Sequence, residues 1–223
     1  MTDSEKFALV RDRLFTAVVG DVLDVMGFRH QFLPQGILPL TPGTRIAGRA
    51  MPVLEANYPE GGSRGPLSDK AFGVMFEALD DLKPGEIYVA SGSSLDYAMW
   101  GGLMSTRALH LKAAGAVLNG HVRDTAEIRR LGFPVFSRGV YAQDQGVRGK
   151  VLDYRVPLRI GQVDIRPGDM MFCDDEGCLV IPQAVEAEAI ERAIEKAGTE
   201  NAVAMAIRDG MTARQAFDEF GVM

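Results

Sequence analysis

Apolar residues recur at near-helical spacing across residues 3–26, at Phe7, Leu9, Val10, Leu14, Val18 and Val22, and predict two short helices. Gly20-Asp21 is expected to separate them, with Asp21 capping residues 22–26 and Gly27 ending that stretch. Pro34, Gly36, Pro39, Pro42 and Gly43 then mark an irregular connection. Residues 45–54 alternate in part and begin a sheet, whereas 57–66, rich in glycine and proline, read as a loop. Over 67–82 a helical pattern returns, with Phe72, Met75, Phe76 and Leu79 on one face, and the stripe reads as core. Lys83-Pro84-Gly85-Glu86 turns the chain into a strand over 87–90, and a loop over 91–100 leads to Gly101-Gly102. A helix over 103–114, ended by Gly115, and a buried strand over 116–122 complete a βαβ unit. Its two strands are parallel, so their C-terminal ends lie on one side, where ligands of open α/β sheets gather.

Beyond that unit, residues 125–131 make a short helix stopped by Gly132, and 133–136 start another strand with Ser137-Arg138-Gly139 at its end. Gly161, Pro167-Gly168 and Gly177 punctuate residues 151–181, a spacing that predicts antiparallel hairpins. A long helix follows over 183–209, and Gly210 separates it from 212–220, whose first residue, Thr212, can cap it. The fold class is therefore α/β, a central βαβ unit with flanking antiparallel hairpins.

Composition narrows the class. With 223 residues, 47% of them hydrophobic, the chain is long enough for one sizeable core, and residues 1–223 are expected to form one globular unit. Met1-Thr2-Asp3-Ser4-Glu5-Lys6 lacks a basic region leading into an apolar stretch, and no run of about 18 apolar residues occurs, so a cytoplasmic protein with no membrane partner is expected. A formal net charge of −6 argues against nucleic acid as partner, since phosphate binding needs clustered Lys and Arg. Cys173 and Cys178 flank Asp174-Asp175-Glu176-Gly177 and read as cross-strand thiols in a reduced core, with a disulfide or a metal pair as the alternative. Three histidines, His30, His110 and His121, argue against a His-rich zinc site.

The candidate chemistry sits after Val117-Leu118-Asn119-Gly120-His121-Val122, where Arg123-Asp124 leaves the strand beside the start of the 103–114 helix. A lone carboxylate such as Asp124 suits a hard divalent cation, Mg²⁺ or Mn²⁺, that keeps most of its waters. Arg123 has the planar, permanently charged fork that suits a carboxylate or a developing enolate oxygen. The first N–H groups of the helix, at Leu103 and Met104, have no partner within it and can hold an anion. Together these groups would bind a 2-oxo acid by its keto oxygen and carboxylate. A structural reading stands beside these: Arg123-Asp124 as an ion pair and Asp124 as the cap of 125–131. Trp100 and Arg107 either border the pocket or serve structure, Trp100 as packing beside the glycine turn and Arg107 as partner of a surface acid. Arg64 in the 57–66 loop either gates a substrate or is surface.

Gly102, then twenty residues, Arg123-Asp124, two residues and Glu127, followed by Leu131-Gly132-Phe133-Pro134-Val135-Phe136, form an ordered combination. On it the chain resembles the regulator of ribonuclease activity A-like family, which includes class II 4-hydroxy-4-methyl-2-oxoglutarate and 4-carboxy-4-hydroxy-2-oxoadipate aldolases. Gly20-Asp21-Val22-Leu23-Asp24 and Pro167-Gly168-Asp169 add looser similarity. The resemblance implies a swivelling β/β/α fold, homotrimers or dimers of trimers, clefts between subunits and dependence on a divalent metal. It implies Asp124 as metal ligand, Arg123 at the keto or enolate oxygen, Leu103 and Met104 at the carboxylate, and Gly102 bordering the substrate. An acidic residue of a neighbouring subunit is expected near the metal's waters, and Glu200 is the nearest match, with exposed helix surface as its other reading.

Family aldolases often carry Asp where this chain has Gly102, twenty-one positions before Arg123. A bound water or Asp96 could replace that group, although Asp96 also suits loop capping. Decarboxylation of oxaloacetate needs the same enolate stabilisation with less demanding proton transfer, so the expected activity is a metal-dependent lyase releasing pyruvate from a short 2-oxo acid, as oxaloacetate decarboxylase, aldolase or both. The alternative from another class is a non-catalytic protein that docks on a ribonuclease and regulates it.

Overall fold

The computed structural model describes residues 1–58 and 67–221. Two helices, α1 (Asp3–Arg13) and α2 (Thr16–Val25), precede strands β1 (Leu38–Pro39) and β2 (Ile46–Asn57). Then come α3 (Met75–Asp80), β3 (Glu86–Ser91), β4 (Ala98–Trp100), α4 (Gly102–His110), β5 (Gly115–Val122), α5 (Thr125–Leu131) and β6 (Val135–Val140). Strands β7 (Gly149–Tyr154), β8 (Leu158–Ile160), β9 (Val163–Ile165), β10 (Met170–Asp174) and β11 (Gly177–Ile181) lead to α6 (Glu186–Arg208) and α7 (Ala213–Phe220).

The main sheet runs in the order β1-β6-β5-β3-β2-β10-β11, with β4 beside β5 and β7 beside β2. Its middle is parallel, β2 with β3, β3 with β5 and β5 with β6. The β10–β11 hairpin adds antiparallel strands at one side, and β8–β9 forms a separate hairpin. β1 returns against β11, so the sheet curls until it is nearly closed. The expected α/β class, with its central βαβ unit and antiparallel hairpins, is what the chain adopts.

Curling explains why the strands are apolar on both sides. Along β3, Ile87 and Val89 point inward while Tyr88 and Ala90 point outward; along β10, Met171 and Cys173 point inward while Met170 and Phe172 point outward. The inner set packs with Ile160, Val163 and Ile165 of the β8–β9 hairpin. Outside, α3, α4 and α5 cover Tyr88, Ala90, Ala116 and Leu118, and α1, α2 and α6 cover Met170, Phe172, Leu179 and Ile181. Cys173 and Cys178 face each other across β10–β11 as buried free thiols, and burial pushes the Cys173 thiol well up.

Several expectations are corrected. The N-terminal helices part at Leu14 and Phe15, both extended, and not at Gly20-Asp21. Gly20 lies inside α2, where a Cβ would come within 2.3 Å of the Phe32 ring, and Asp21 pairs with Lys196 at 3.0 Å. The helix expected over 67–82 shrinks to Met75–Asp80. Tertiary pairing overrides the helical pattern there: Val151 donates to the Phe72 carbonyl and accepts from the Val74 amide, drawing 72–74 alongside β7 through Gly73 at φ 66°. The 103–114 helix stops at His110, with Lys112 left-handed at φ 60°, and Gly115 opens β5. Part of the 91–100 loop is strand β4, and Ser137-Arg138-Gly139 lie within β6. Thr212 caps α7 as expected, in a reciprocal box with Gln215.

Candidate active site

Strand β4 runs beside the end of β5, Trp100 opposite Val122, and the Arg123 amide donates to the Trp100 carbonyl at 3.0 Å. That pairing sets Gly101-Gly102 against Arg123-Asp124. Trp100 anchors the arrangement from below: it is 1% exposed, lies between Tyr88 and Phe133, and its indole N–H donates to Ser105 Oγ at 2.7 Å. It packs beside the glycine turn and also borders the cavity into which the site opens, so both readings of Trp100 hold.

Asp124 adopts a left-handed backbone, φ 57° and ψ 36°, a region that Asp tolerates better than most residues. This turns the chain sharply from β5 into α5 and carries the carboxylate away from α5, which it does not cap. Instead Oδ2 accepts from the Gly102 amide at 2.9 Å, at the N-terminus of α4. Both glycines permit the approach. A Cβ at Gly101 would lie 2.8 Å from Asp124 Oδ2, and one at Gly102 would lie 3.3 Å from Asp124 Cβ and from Glu127 Cγ.

The first turn of α4 lacks internal acceptors for its amides. Gly102 uses Asp124 and Ser105 uses the Gly101 carbonyl, so Leu103 and Met104 supply the donors that can meet a ligand. Arg123 Nε stands 3.9 Å from Asp124 Oδ2, and its Nη1 lies 2.8 Å from Asp144 Oδ1. All three side chains are between a third and a half exposed. Two carboxylates around one guanidinium leave net negative charge, which suits a cation. Among the described residues no three His, Cys, Asp or Glu side chains gather as a metal cage. One carboxylate at a cleft fits a hydrated Mg²⁺ or Mn²⁺ and does not fit a structural zinc.

These groups open into a cavity of about 400 Å³. Phe72, Met75, Phe76 and Leu79, expected as core, form one wall of it, and Phe76 is 56% exposed. Arg107 borders the cavity and also pairs with Asp80 at 2.7 Å, so both readings of that residue hold. Glu127 lies close to Gly102 but its carboxylate is held by Arg130, which lowers its pKa. Glu200 sits on α6, paired with Lys196 at 2.7 Å, in the helical layer over the other half of the sheet. Asp96 is exposed in the turn before β4. Arg64 falls outside the described residues.

Asp144 escaped the sequence reading. Gln143-Asp144-Gln145-Gly146 looks like any polar turn, and only the parallel pairing of β5 with β6 brings the chain after β6 out beside Arg123.

The fold and site define a mixed α/β protein with an anion-ready helix N-terminus facing an Arg-Asp pair at the sheet's edge. The family model described as RraA-like, Aldolase/RraA, matches residues 16–180, and the chain belongs to that family. "Putative 4-hydroxy-4-methyl-2-oxoglutarate aldolase" of Halalkalibacterium halodurans is 30% identical over 205 residues, 92% of this chain and 90% of that protein. Protein DlpA of Legionella pneumophila subsp. pneumophila is 32% identical over 206 residues, 92% of this chain, which spans only 32% of that longer protein. Among solved structures, Streptomyces coelicolor RraAS2, described as an unusual member of the RNase ES inhibitor RraA protein family, aligns with a TM-score of 0.79 at 24% identity, over 92% of this chain and 98% of that one. Among the described residues no helix is long and apolar enough to cross a membrane.

Proposed function

We propose that this protein is a divalent-metal-dependent lyase that breaks a C–C bond in a short 2-oxo acid and releases pyruvate. The observation that carries the reading is the convergence of Asp124, the Arg123 guanidinium and the α4 N-terminus on one cleft. The aldolase name of the Halalkalibacterium relative supports it. Leu103 and Met104 amides hold the substrate carboxylate, and Arg123 donates to the keto oxygen as it becomes an enolate oxygen. Asp124 is the residue that would hold Mg²⁺ or Mn²⁺, which when bound supplies a Lewis acid.

Gly102 decides between the two cleavages. Aldol cleavage must remove a proton from the C4 hydroxyl as C3–C4 breaks. Oxaloacetate loses CO₂ with no such base and needs only a proton returned to C3. With Gly102 offering no side chain, the site favours decarboxylation and leaves aldol protons to water. Assembly as a trimer or a pair of trimers belongs to this reading and is what would bring Glu200 of the partner subunit near Asp124.

Pyruvate release from oxaloacetate and from 4-hydroxy-4-methyl-2-oxoglutarate, with Mg²⁺ or Mn²⁺ and with chelator, tests the proposal. Turnover that needs metal and is lost in Asp124→Ala is expected; no metal-dependent turnover, or full activity in the variant, ends it. A second reading, docking on a ribonuclease, draws support from the RNase ES inhibitor family to which the Streptomyces protein is assigned. It predicts inhibition of RNA cleavage that persists in Asp124→Ala, and an assay without inhibition removes it.

A further inference from the structure

We propose that Asp144 is a positioning residue for the lyase site: it holds the Arg123 guanidinium toward the substrate's keto oxygen and keeps it off Asp124, the residue assigned to the metal. The inference rests on the lyase reading above and uses only contacts made within one chain.

Arg123 stands between two carboxylates. Its Nη1 pairs with Asp144 Oδ1 at 2.8 Å, whereas its Nε lies 3.9 Å from Asp124 Oδ2, beyond hydrogen-bond reach. The guanidinium is therefore held by Asp144 and only near Asp124. All three residues border the same cavity.

This division has a chemical consequence. An arginine directly before an aspartate can close a paired ion contact with it, the strongest arrangement open to a guanidinium and a carboxylate. Closure here would cancel the charge of the carboxylate assigned to the divalent cation and draw the fork away from the keto oxygen. Asp144 competes with that closure, and it does so from a fixed place. Its Oδ2 accepts from the Gly146 amide at 2.9 Å, so the carboxylate is oriented independently of Arg123. A Cβ at Gly146 would lie 2.7 Å from Asp144 Oδ2, and glycine leaves room for this contact.

The turn that carries Asp144 is fixed as well. The Ala98 amide at the start of β4 donates to the Gln143 carbonyl at 2.9 Å, and Arg148 Nη1 donates to the Asp144 carbonyl at 3.0 Å. The Arg148 and Gly149 amides both donate to the Gln145 carbonyl, at 2.6 and 3.0 Å, and Gln145 is buried. An anchored carboxylate has little freedom left to lose when it orders a long arginine side chain, so the pair is favoured over one between two mobile groups. Without Asp144 the guanidinium falls back on Asp124. The cation is then held more weakly, and the keto oxygen loses its donor as charge develops on it.

The test is a cycle of Asp144→Ala, Arg123→Met and the double variant in the full chain, read by Mn²⁺ titration. The Asp144 side chain is half exposed, so its truncation leaves the core untouched. Mn²⁺ affinity is expected to fall about fivefold or more in Asp144→Ala, and to change less than about twofold when the same substitution is added to Arg123→Met, where no guanidinium remains to cover Asp124. With oxaloacetate at saturating Mn²⁺, Asp144→Ala is expected to lose about tenfold in kcat with KM changed less than about threefold, the pattern of an interaction lost mainly in the transition state. An equal fall in Mn²⁺ affinity in both backgrounds would mean that Asp144 acts through its own charge or its turn and not through Arg123, which overturns the inference while the lyase reading stands. Wild-type affinity and kcat in Asp144→Ala overturn it too. Absence of Mn²⁺-dependent pyruvate release from the wild-type chain removes the lyase reading and this inference with it.

Discussion

Glu55 provides a measurement that isolates one buried carboxyl from the rest of the molecule. It lies on β2 opposite Val151, is 2% exposed, and its Oε1 has no hydrogen-bond partner. Burial pushes its pKa from an ordinary 4.5 up to about 8, against a smaller downward pull from the Tyr97 hydroxyl. In the folded protein Glu55 is therefore protonated at neutral pH, while in the unfolded chain it ionises above 4.5. The folded state binds the extra proton, so the stability linked to this group is fully present below pH 4.5 and is lost as pH rises through about 8. The loss approaches about 1.4 kcal/mol per pH unit in mid-window and, with the partial titration at each end, comes to about 3.5 kcal/mol between pH 5 and pH 8. Glu55→Gln keeps the size and removes the titration. Urea unfolding of both proteins at pH 5, 6, 7 and 8 is expected to give a stability difference that shifts steadily toward the Gln variant and flattens above pH 8. Comparing the two proteins cancels every other titrating group. A difference independent of pH would refute the protonated assignment.

Two further outcomes follow from the packing around the site. Trp100→Ala removes a fully buried ring set between Tyr88 and Phe133, along with its hydrogen bond to Ser105 Oγ, which keeps its bond to the Gly101 carbonyl, so thermal or urea unfolding should show a loss of about 3–5 kcal/mol. Gly101→Ala sets a methyl group 2.8 Å from Asp124 Oδ2 on extended backbone that alanine adopts freely, so Mg²⁺ affinity and pyruvate release should fall severalfold while unfolding changes by about 1 kcal/mol or less; unchanged Mg²⁺ affinity would show that the carboxylate's position is not what matters.

Local signals carried those parts of the fold that local chemistry decides. α5 matches residues 125–131 because Gly132 in a left-handed cap ends it, and α7 begins where Thr212 and Gln215 form their reciprocal cap. The βαβ unit was legible because a glycine pair, a helical stretch and an apolar run follow one another. What failed was decided by distant partners. Residues 67–74 have helical periodicity, yet Val151 takes up the backbone groups of Phe72 and Val74, and no pattern within 67–82 announces β7. Gly20 looked like a helix break because glycine usually is one, whereas here it gives room to the Phe32 ring twelve residues away.

The same division holds within the site. Arg123 and Asp124 could be picked out because a charged pair directly after a buried strand is a local anomaly, and the amides of Leu103 and Met104 follow from where a helix begins. Asp144 and the Phe72–Phe76 wall could not, since their role exists only once β6 runs parallel to β5 and β7 draws the turn before α3 into place. The legible part is the part that handles the 2-oxo acid end in the proposed reaction. The illegible part lines the same cavity from the other side. The cavity wall of Phe72 and Phe76 and the Asp144 carboxylate come from segments far apart in the chain, whereas Gly101, Gly102, Arg123 and Asp124 fall within about two dozen consecutive residues.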